Sequence, residues 1–301
     1  MVIKMKDNAS AKIITATYQD WLRGIDGEHL PDNVYVNSEI NRLYQHACAV
    51  IKPYQDKLSA PLVETDIEPV TASEKGFAGL YLSALLNQTA ARSLTVNKTS
   101  TKLFGVGYRL QPGKTLEIGK DAKLEYVGWG ALGGTINSFG EGINEIGNNA
   151  ESLTILNHGR ATKIACKARN TTVINDNQTD WLGLFGKDNR IVNLGKVREA
   201  CLFDKGSTII DMGRIKEVSF CETIIVTKHG LKVTPLPSSR SFRLVGPKEL
   251  RKDVWLKGIV EEMELLASED HISRNLPTVI SEVDIIKDYV KRAYPVVHLT
   301  F

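Results

Sequence analysis

The chain has 301 residues, of which 42% are hydrophobic and 24% are charged, and its formal net charge is only +3. This composition is typical of a globular protein with enough apolar material for a substantial core. The small net charge gives no support for binding to nucleic acid or to an anionic membrane, so neither is expected as a partner.

Four cysteines are present, and none of them belongs to a CxxC or CxxH pair. The spacing that marks a zinc site is therefore absent, and we expect reduced, buried thiols and no bound metal or cofactor. The N-terminal sequence MVIKMKDNASAKII lacks the apolar core of a signal peptide, and no apolar run approaches the roughly 18 residues of a membrane span. The expected location is cytoplasmic.

Residues 1–94 are predicted to form a helical N-terminal cap. Three segments carry amphipathic helical periodicity, namely SAKIITATYQDWLRG, SEINRLYQHACAVIKPY and TASEKGFAGLYLSALLNQ. Between the last two, the stretch LVETDIEPV is predicted to be an acidic linker. Its Glu64, Asp66 and Glu68 alternate in a way that could hold a divalent cation, but solvated linker charge is the commoner reason for such a run.

Residues 95–232 are predicted to form a β-helix, because short β-branched segments recur there every 18 to 20 residues. Six segments align on one polar column, made of Glu117, Asn137, Asn157, Asn175, Asn193 and Asp211. The column just before it is apolar and is predicted to point inward, and it consists of Leu116, Ile136, Leu156, Ile174, Val192 and Ile210. Stacked asparagines in the polar column are expected to form an amide ladder.

The handedness of the coils is less directly encoded. Val173, Phe185, Ile191, Val197 and Phe203 fall on a six-residue grid, which resembles the hexapeptide repeat of left-handed β-helices, many of them acyltransferases. The grid fails at Thr179 and Lys167 and does not extend into the longer coils. These longer coils favour a single-stranded right-handed β-helix.

Residues 233–301 are predicted to form a helical C-terminal segment. One helix is expected over residues 248–266, with Pro247 near its start, and a second over residues 278–294 with one apolar face. The final residues VVHLTF suggest a short edge strand. Helices at both ends suit a solenoid, because its end coils must be covered.

The segment GYRLQPGKTLEIGKDAKLEYVGWGALGGTI, from Gly107 to Ile136, resembles the GXGXG β-helix family, with Gly128, Gly130, Gly133 and Gly134 in the matching positions. This family includes the C-terminal domain of the glutamate synthase large subunit and one of the subunits of formylmethanofuran dehydrogenase. The resemblance extends over about residues 95–230. It implies a right-handed β-helix that serves as a structural element, and not as a site of chemistry.

Two features of the coils raise the question of chemistry. The run GWGALGG has phosphate-loop character, but the strand-like TINSFG follows it where a phosphate loop needs a helix. His158 and Asp176 follow the polar column on adjacent coils, where an aspartate can orient a histidine as a general base. A solvated turn pair is the simpler interpretation. Likewise, packing is a commoner role than sugar binding for Trp129 and Trp181.

The sequence therefore predicts a non-catalytic β-solenoid scaffold or binding module in a cytoplasmic complex, with a protein partner or a second copy of itself. No catalytic, cofactor-binding or metal-binding residue is assigned. Two alternatives stay open: an enzyme built on a β-helix (an acyltransferase or a carbohydrate-active protein), and an accessory subunit in glutamate or one-carbon metabolism.

Overall fold

The computed structural model describes most of the chain, and every structural statement below concerns these residues. The described ranges are residues 8–25, 37–58, 62–64, 76–99, 101–200, 203–219, 221–234, 241–268, 272–294 and 297–298. They fall into two compact units, which are divided between Leu153 and Thr154. The three-part division at residues 94 and 232 stays a prediction.

Unit 1 combines helices with parallel strands. Its helices are α1 (Asn8–Ile25), α2 (Asn37–Ile51) and α3 (Ala78–Gln88), and a 3-10 turn spans Lys52–Lys57. Its strands are β1 (Leu62–Glu64), β2 (Ser93–Lys98), β3 (Leu103–Phe104), β4 (Thr115–Asp121), β5 (Leu124–Glu125), β6 (Thr135–Ser138) and β7 (Ile143–Ile146). Thr71 and Glu74, which stand at capping-box spacing at the start of the third predicted helix, lie outside the described residues.

The strands of unit 1 stack coil upon coil. Strands β1, β2, β4 and β6 pair side by side in parallel, and β3 pairs in parallel with β5. Leu94, Leu116 and Ile136 occupy one register across three of these strands. The side chains of Leu116 and Ile136 reach the glycines Gly107 and Gly128. The prediction that these two residues point inward is therefore confirmed.

Unit 2 has more coils and a helical cover. Its strands are β8 (Thr154–Asn157), β9 (Ala161–Ile164), β10 (Thr172–Asn175), β11 (Thr179–Leu182), β12 (Arg190–Asn193), β13 (Lys196–Ala200), β14 (Asp204–Asp211), β15 (Arg214–Ser219), β16 (Cys221–Thr227), β17 (Lys232–Thr234), β18 (Ser241–Val245) and β19 (Val297–His298). Its helices are α4 (Pro247–Lys252), α5 (Val254–Ser268) and α6 (Ile272–Ala293).

Two parallel sheets run along unit 2. One joins β8, β10, β12, β14, β16 and β18, and the other joins β9, β11, β13, β15 and β17. Each coil is 18 residues long where Thr154, Thr172, Arg190 and Thr208 stand in register. The C-terminal strand β19 adds antiparallel to β18, as an edge strand should. The predicted fold class, a mainly β solenoid with helical segments toward both ends, is confirmed.

The apolar column has a different role in unit 2, and the prediction is wrong there. Leu156, Ile174, Val192 and Ile210 do not point into the coil but pack against the C-terminal helices, together with Val260, Met263, Val279, Val283, Ile286 and Val290. The inward residues are their neighbours Ile155, Val173, Ile191 and Ile209, which are also fully buried. Both faces of this sheet are covered, so the alternation that distinguishes inside from outside is lost.

The polar column forms a ladder, but only in unit 2. Asn157 donates to Asn175, Asn175 donates to Asn193 and Asn193 donates to Asp211, each over 2.8–2.9 Å. All four side chains are buried. The predicted amide ladder is thus confirmed over these coils. Glu117 and Asn137 do not share its position, because they are half-exposed while their neighbours Ile118 and Ser138 are buried.

The C-terminal helices are fixed to the solenoid by charge as well as by apolar packing. Arg190 of β12 donates two hydrogen bonds to the carboxylate of Asp284 in α6, at 2.8 and 2.9 Å. Asp253 separates α4 from α5, so the single helix predicted over residues 248–266 is interrupted there. No helix in the described part of the chain has the length and apolar character that crossing a bilayer requires.

A left-handed backbone corner recurs in the coils. In the run GWGALGG, residues Gly128, Gly130 and Gly133 all have positive φ. The same three positions keep positive φ in later coils, where other residues occupy them: Gly147, Asn149 and Ser152; Ala165, Lys167 and Asn170; Gly183, Phe185 and Asp188; and, at the last two positions, Phe203 and Gly206. The glycines thin out along the sequence while the corner itself persists.

Candidate functional site

The most unusual surface of unit 2 lies on its left-handed corner. On three successive coils, two outward residues flank an inward one: Lys167 and Arg169 flank Ala168, Phe185 and Lys187 flank Gly186, and Phe203 and Lys205 flank Asp204. We call the outward set the aromatic–basic corner, and it consists of Lys167, Arg169, Phe185, Lys187, Phe203 and Lys205.

Two phenylalanines stack on each other at this corner. The ring centroids of Phe185 and Phe203 are 5.2 Å apart and the ring planes differ by 15°. Phe185 is 50% exposed and Phe203 is 39% exposed, and each has positive φ. A non-glycine residue in the left-handed region costs about 1–2 kcal/mol, so both rings are held at the surface against backbone strain. The six-residue grid that grouped these rings with inward residues is therefore wrong at both positions.

A basic column runs beside the rings. Arg169, Lys187 and Lys205 are bridged in parallel register, so their backbones are about 4.8 Å apart from one coil to the next. Lys167 adds a fourth cation, and all four residues are exposed. Lys167, Arg169 and Lys187 form no ion pair with any described residue. Cations stacked in this way repel one another unless a counter-charge binds to them.

A buried carboxyl lies directly behind this surface. Asp204 is fully buried, and neither of its carboxyl oxygens has a hydrogen-bond partner among the described residues. Burial raises the pKa of Asp204 to about 6. Nearby Ser207 and Asn189 oppose part of this rise, but neither reaches hydrogen-bond geometry with the carboxyl group. The aspartate occupies the space that Gly186 leaves on the preceding coil, since a Cβ on Gly186 would lie 2.6 Å from Oδ2 of Asp204.

The predicted histidine–aspartate pair is formed. Nδ1 of His158 lies 2.5 Å from Oδ2 of Asp176 on the next coil. The His158 side chain is 19% exposed, and Asp176 also lines an open cleft of about 460 Å³. No serine, threonine or cysteine lines the described part of this cleft. The pair has the geometry of a base held by a carboxylate, with no hydroxyl or thiol nucleophile in the described lining of the cleft.

The two tryptophans proposed for sugar stacking are occupied by other contacts. Trp129 lies within an aromatic cluster in unit 1, with ring centroids 5.9–6.1 Å from Phe104, Tyr108 and Tyr126. In unit 2, the guanidinium of Arg198 lies 4.1 Å from the ring centroid of Trp181. Packing is therefore the role that the structure shows for both rings.

The remaining sequence candidates give no site. The run GWGALGG leads into strand β6 and not into a helix, as expected for a corner and not for a phosphate loop. Asp66 and Glu68 of the acidic stretch lie outside the described residues. Among the residues that the structure covers, no cluster of three or more metal-binding side chains occurs.

Sequence reasoning missed the aromatic–basic corner, although a signal for it existed. Extending the 18-residue alignment from the strands into the corners places KAR, FGK and FDK in one block. Comparison with known proteins adds no further assignment: no family model, curated protein or solved structure matches the chain.

Proposed function

We propose that this chain is a non-catalytic β-solenoid module that binds an acidic segment of a partner protein through the aromatic–basic corner. The main observation behind this proposal is the exposed Phe185–Phe203 stack, which a strained backbone holds beside a column of cations. Aromatic and arginine side chains dominate the energetics of protein interfaces, and exposed apolar groups of this size commonly mark them.

The charge of the corner selects the partner. Its four cations face outward. Among the described left-handed positions of this corner, Asp188 is the one acidic residue, and it is half-buried. A second copy of the chain would bring the same cations into opposition across a two-fold axis, so self-association through this surface is disfavoured. An acidic segment with an apolar side chain matches both components of the surface.

Protein is also a better match than nucleic acid. Single-stranded nucleic acid binds by stacking its bases on exposed aromatic faces. Here each phenylalanine covers a face of the other, with the ring planes only 15° apart. One face of each ring is therefore closed to base stacking, and the exposed parts of the rings suit aliphatic and aromatic side chains of a peptide.

Two features support the wider setting of this proposal. The recurring left-handed corner supports a relationship to the GXGXG β-helices, in which the domain is a structural element. The reduced thiols of Cys48 and Cys166 support a complex in the cytoplasm.

Photo-cross-linking from the corner tests the proposal. The photoreactive residue p-benzoylphenylalanine replaces Phe185 in the full chain, and Val254, which is 81% exposed in unit 2, is the matched control position. We expect cross-links from position 185 to an acidic segment of one other protein, which are absent at position 254. Cross-links to nucleic acid or to the chain itself, or none at all, would overturn the proposal.

The charge component is tested with the partner segment identified in this way. Lys187→Glu with Lys205→Glu should weaken binding by at least about tenfold, because two attractive contacts become repulsive. The control pair is Lys120→Glu with Lys123→Glu, which reverses two exposed lysines in unit 1. Equal effects of the two pairs would show that net charge, and not this surface, controls binding.

A second candidate function, an acid–base enzyme, rests on the His158–Asp176 contact at the edge of a cleft. With no nucleophile in the described lining, this enzyme would use the histidine to activate water. Hydrolysis of p-nitrophenyl acetate or p-nitrophenyl phosphate that disappears in both His158→Ala and Asp176→Asn would favour it. Turnover that survives both substitutions, or no turnover in the unmodified chain, counts against it.

A further inference from the structure

The cleft beside His158 and Asp176 has a lining suited to a ligand. It runs alongside the amide ladder, where the coils turn from one sheet of unit 2 to the other. Its polar and charged lining comes from Asp176, Asn177, Gln178, Lys196, Arg214 and His229. At about 460 Å³, it falls within the size range of sites for small organic molecules, roughly 300–1,000 Å³.

Two glycines belong to the lining of the cleft. Gly195 and Gly213 line it on successive coils, beside Leu194. A Cβ on Gly195 would clash with the backbone of Asn177, and a Cβ on Gly213 would clash with the backbone of Leu194 and Gly195. The close stacking of the coils therefore requires glycine at both positions.

Two cations form one wall. Lys196 and Arg214 begin neighbouring strands and are direct register partners, so their backbones are about 4.8 Å apart. Both are exposed, and neither side chain makes an ion pair or hydrogen bond with a described residue. Like charges in register destabilise a sheet, so this pair gains stability when an anion lies between them.

The rest of the lining agrees with an anionic ligand. The side chain of Gln178 carries an amide donor, whereas Nδ2 of Asn177 already donates to the carbonyl oxygen of His158 at 2.8 Å. His229 lies at the other end, with its Nε2 3.3 Å from the carbonyl oxygen of Met212. The one carboxylate in the lining, Asp176, is already held by His158 at 2.5 Å. The nearby Lys228 is paired with Glu264 over 2.6 Å and takes no part.

We propose that this cleft binds a small organic anion whose phosphate or carboxylate group lies between Lys196 and Arg214. An arginine fork and a lysine point charge on adjacent strands are suited to an oxyanion, which accepts hydrogen bonds from both. The site is separate from the aromatic–basic corner, and its proposal does not depend on the proposed protein partner.

Titration of the full chain with two simple probes tests the site. Inorganic phosphate represents the phosphate group and succinate the carboxylate, and the tighter binder identifies the group. We expect saturable binding by calorimetry, with amide shifts in NMR spectra of the unmodified chain centred on Gln178, Lys196, Arg214 and His229. Neither probe binding, or shifts centred elsewhere, would overturn the proposal.

Matched charge removals test the named residues. Lys196→Gln with Arg214→Gln should weaken binding of the probe by at least about tenfold, because both charge-assisted contacts are lost. Lys120→Gln with Lys123→Gln removes the same charge from two exposed lysines of unit 1 and should leave probe binding unchanged. If both pairs weaken binding equally, the cleft is not the site.

A third variant gives a gain that misfolding would not produce. Asp176→Asn removes the one carboxylate from the lining, so its repulsion of the anion disappears. We expect phosphate and succinate to bind more tightly to this variant than to the unmodified chain. Weaker binding would show that Asp176 helps to hold the ligand, which would contradict an anionic ligand.

Discussion

Asn175 donates a hydrogen bond from its side-chain Nδ2 to Oδ1 of Asn193 over 2.9 Å, although the two residues are 18 positions apart. The same Nδ2 also donates to the carbonyl oxygen of Asn177 at 2.9 Å, and Oδ1 of Asn175 accepts from Asn157 at 2.8 Å. The ladder therefore has a direction, because each amide donates to the next coil, and Asn175 and Asn193 also accept from the preceding one. It ends at Asp211, which only accepts, from Asn193, from the hydroxyl of Thr227 and from the backbone N–H of Ile215.

This direction predicts opposite results for two similar substitutions. Asn175→Asp replaces both donor hydrogens with a carboxylate oxygen that faces the acceptor Oδ1 of Asn193 in a fully buried position. We expect a loss of about 3–5 kcal/mol in the free energy of unfolding, measured by urea denaturation at pH 7, because the buried charge keeps only the Asn157 donor and faces two acceptor oxygens.

Asp211→Asn is the matched control. Its Oδ1 still accepts from Asn193, and the Thr227 hydroxyl is free to donate to the carbonyl oxygen of His229 instead. The N–H of Ile215 loses its bond to Oδ2, which is long at 3.3 Å. Burial raises the pKa of Asp211, so removing its charge removes a desolvation cost that offsets this loss. Stability should stay within about 1 kcal/mol of the unmodified chain. Losses of equal size in the two variants would contradict a directional ladder.

The ladder was predictable from sequence because a polar residue recurs at the end of a β-branched strand in each coil. Which of the neighbouring apolar residues points into the coil was not predictable, because Leu156 and Ile155 are both apolar and both buried. The face that packs on the helices depends on contacts with residues about 100 positions away, such as Val260 and Met263. No local pattern carries that information.

The aromatic–basic corner shows a different limit. Lys167, Phe185 and Phe203 share a backbone conformation that the sequence signals only where glycine occupies it, as at Gly130. Phe185 and Phe203 lie at the surface although they are apolar, because the left-handed backbone at this position of the corner directs their side chains outward. The His158–Asp176 contact was predictable because both residues are at the same offset from the ladder.

At the left-handed corner, introducing a glycine and removing a glycine should change the free energy of unfolding in opposite directions. Lys167→Gly should raise the free energy of unfolding by up to about 1 kcal/mol, because the exposed Lys167 has φ 55° and glycine adopts this angle without strain. Gly128→Ala should lower it by about 2 kcal/mol or more, because its φ is 65° and the new Cβ would clash with Cδ1 of Ile136. Thermal or urea unfolding of both variants measures this, and a destabilised Lys167→Gly would contradict the strain at the corner.

The raised pKa of Asp204 predicts that the free energy of unfolding depends on pH. Its pKa is raised from 3.8 to about 6 in the folded chain, so the folded state binds a proton that the unfolded state releases between these values. Stability therefore falls as pH rises from about 4 to 6, and the deprotonated carboxyl is a cost at neutral pH. Asp204→Asn should remove this part of the slope and raise stability at pH 7 by about 2–3 kcal/mol.

The measurement is urea denaturation of the unmodified chain and of Asp204→Asn at pH 4.5 and at pH 7. Asp121→Asn, which neutralises an exposed carboxylate in unit 1, is the control for the change in net charge. The difference between Asp204→Asn and the unmodified chain should be larger at the higher pH. A difference that is independent of pH would mean that Asp204 is paired in the folded chain.

The Arg190–Asp284 contact predicts how strongly α6 is coupled to the solenoid by charge. Nε and Nη2 of Arg190 donate to the two carboxylate oxygens of Asp284, at 2.8 and 2.9 Å. The side chains of Arg190 and Asp284 are 32% and 43% exposed. Partial exposure screens the pair, so a double-mutant cycle of Arg190→Gln and Asp284→Asn should give a coupling of about 0.5–1 kcal/mol. Repeating the cycle in about 1 M salt should reduce this coupling, because mobile ions screen exposed pairs. The control is the pair Lys257 and Glu261 on the exposed face of α5, whose charged atoms are 3.7 Å apart, and it should show a weaker coupling in the same assay. Equal coupling energies for the two pairs would contradict a special role for the bidentate geometry.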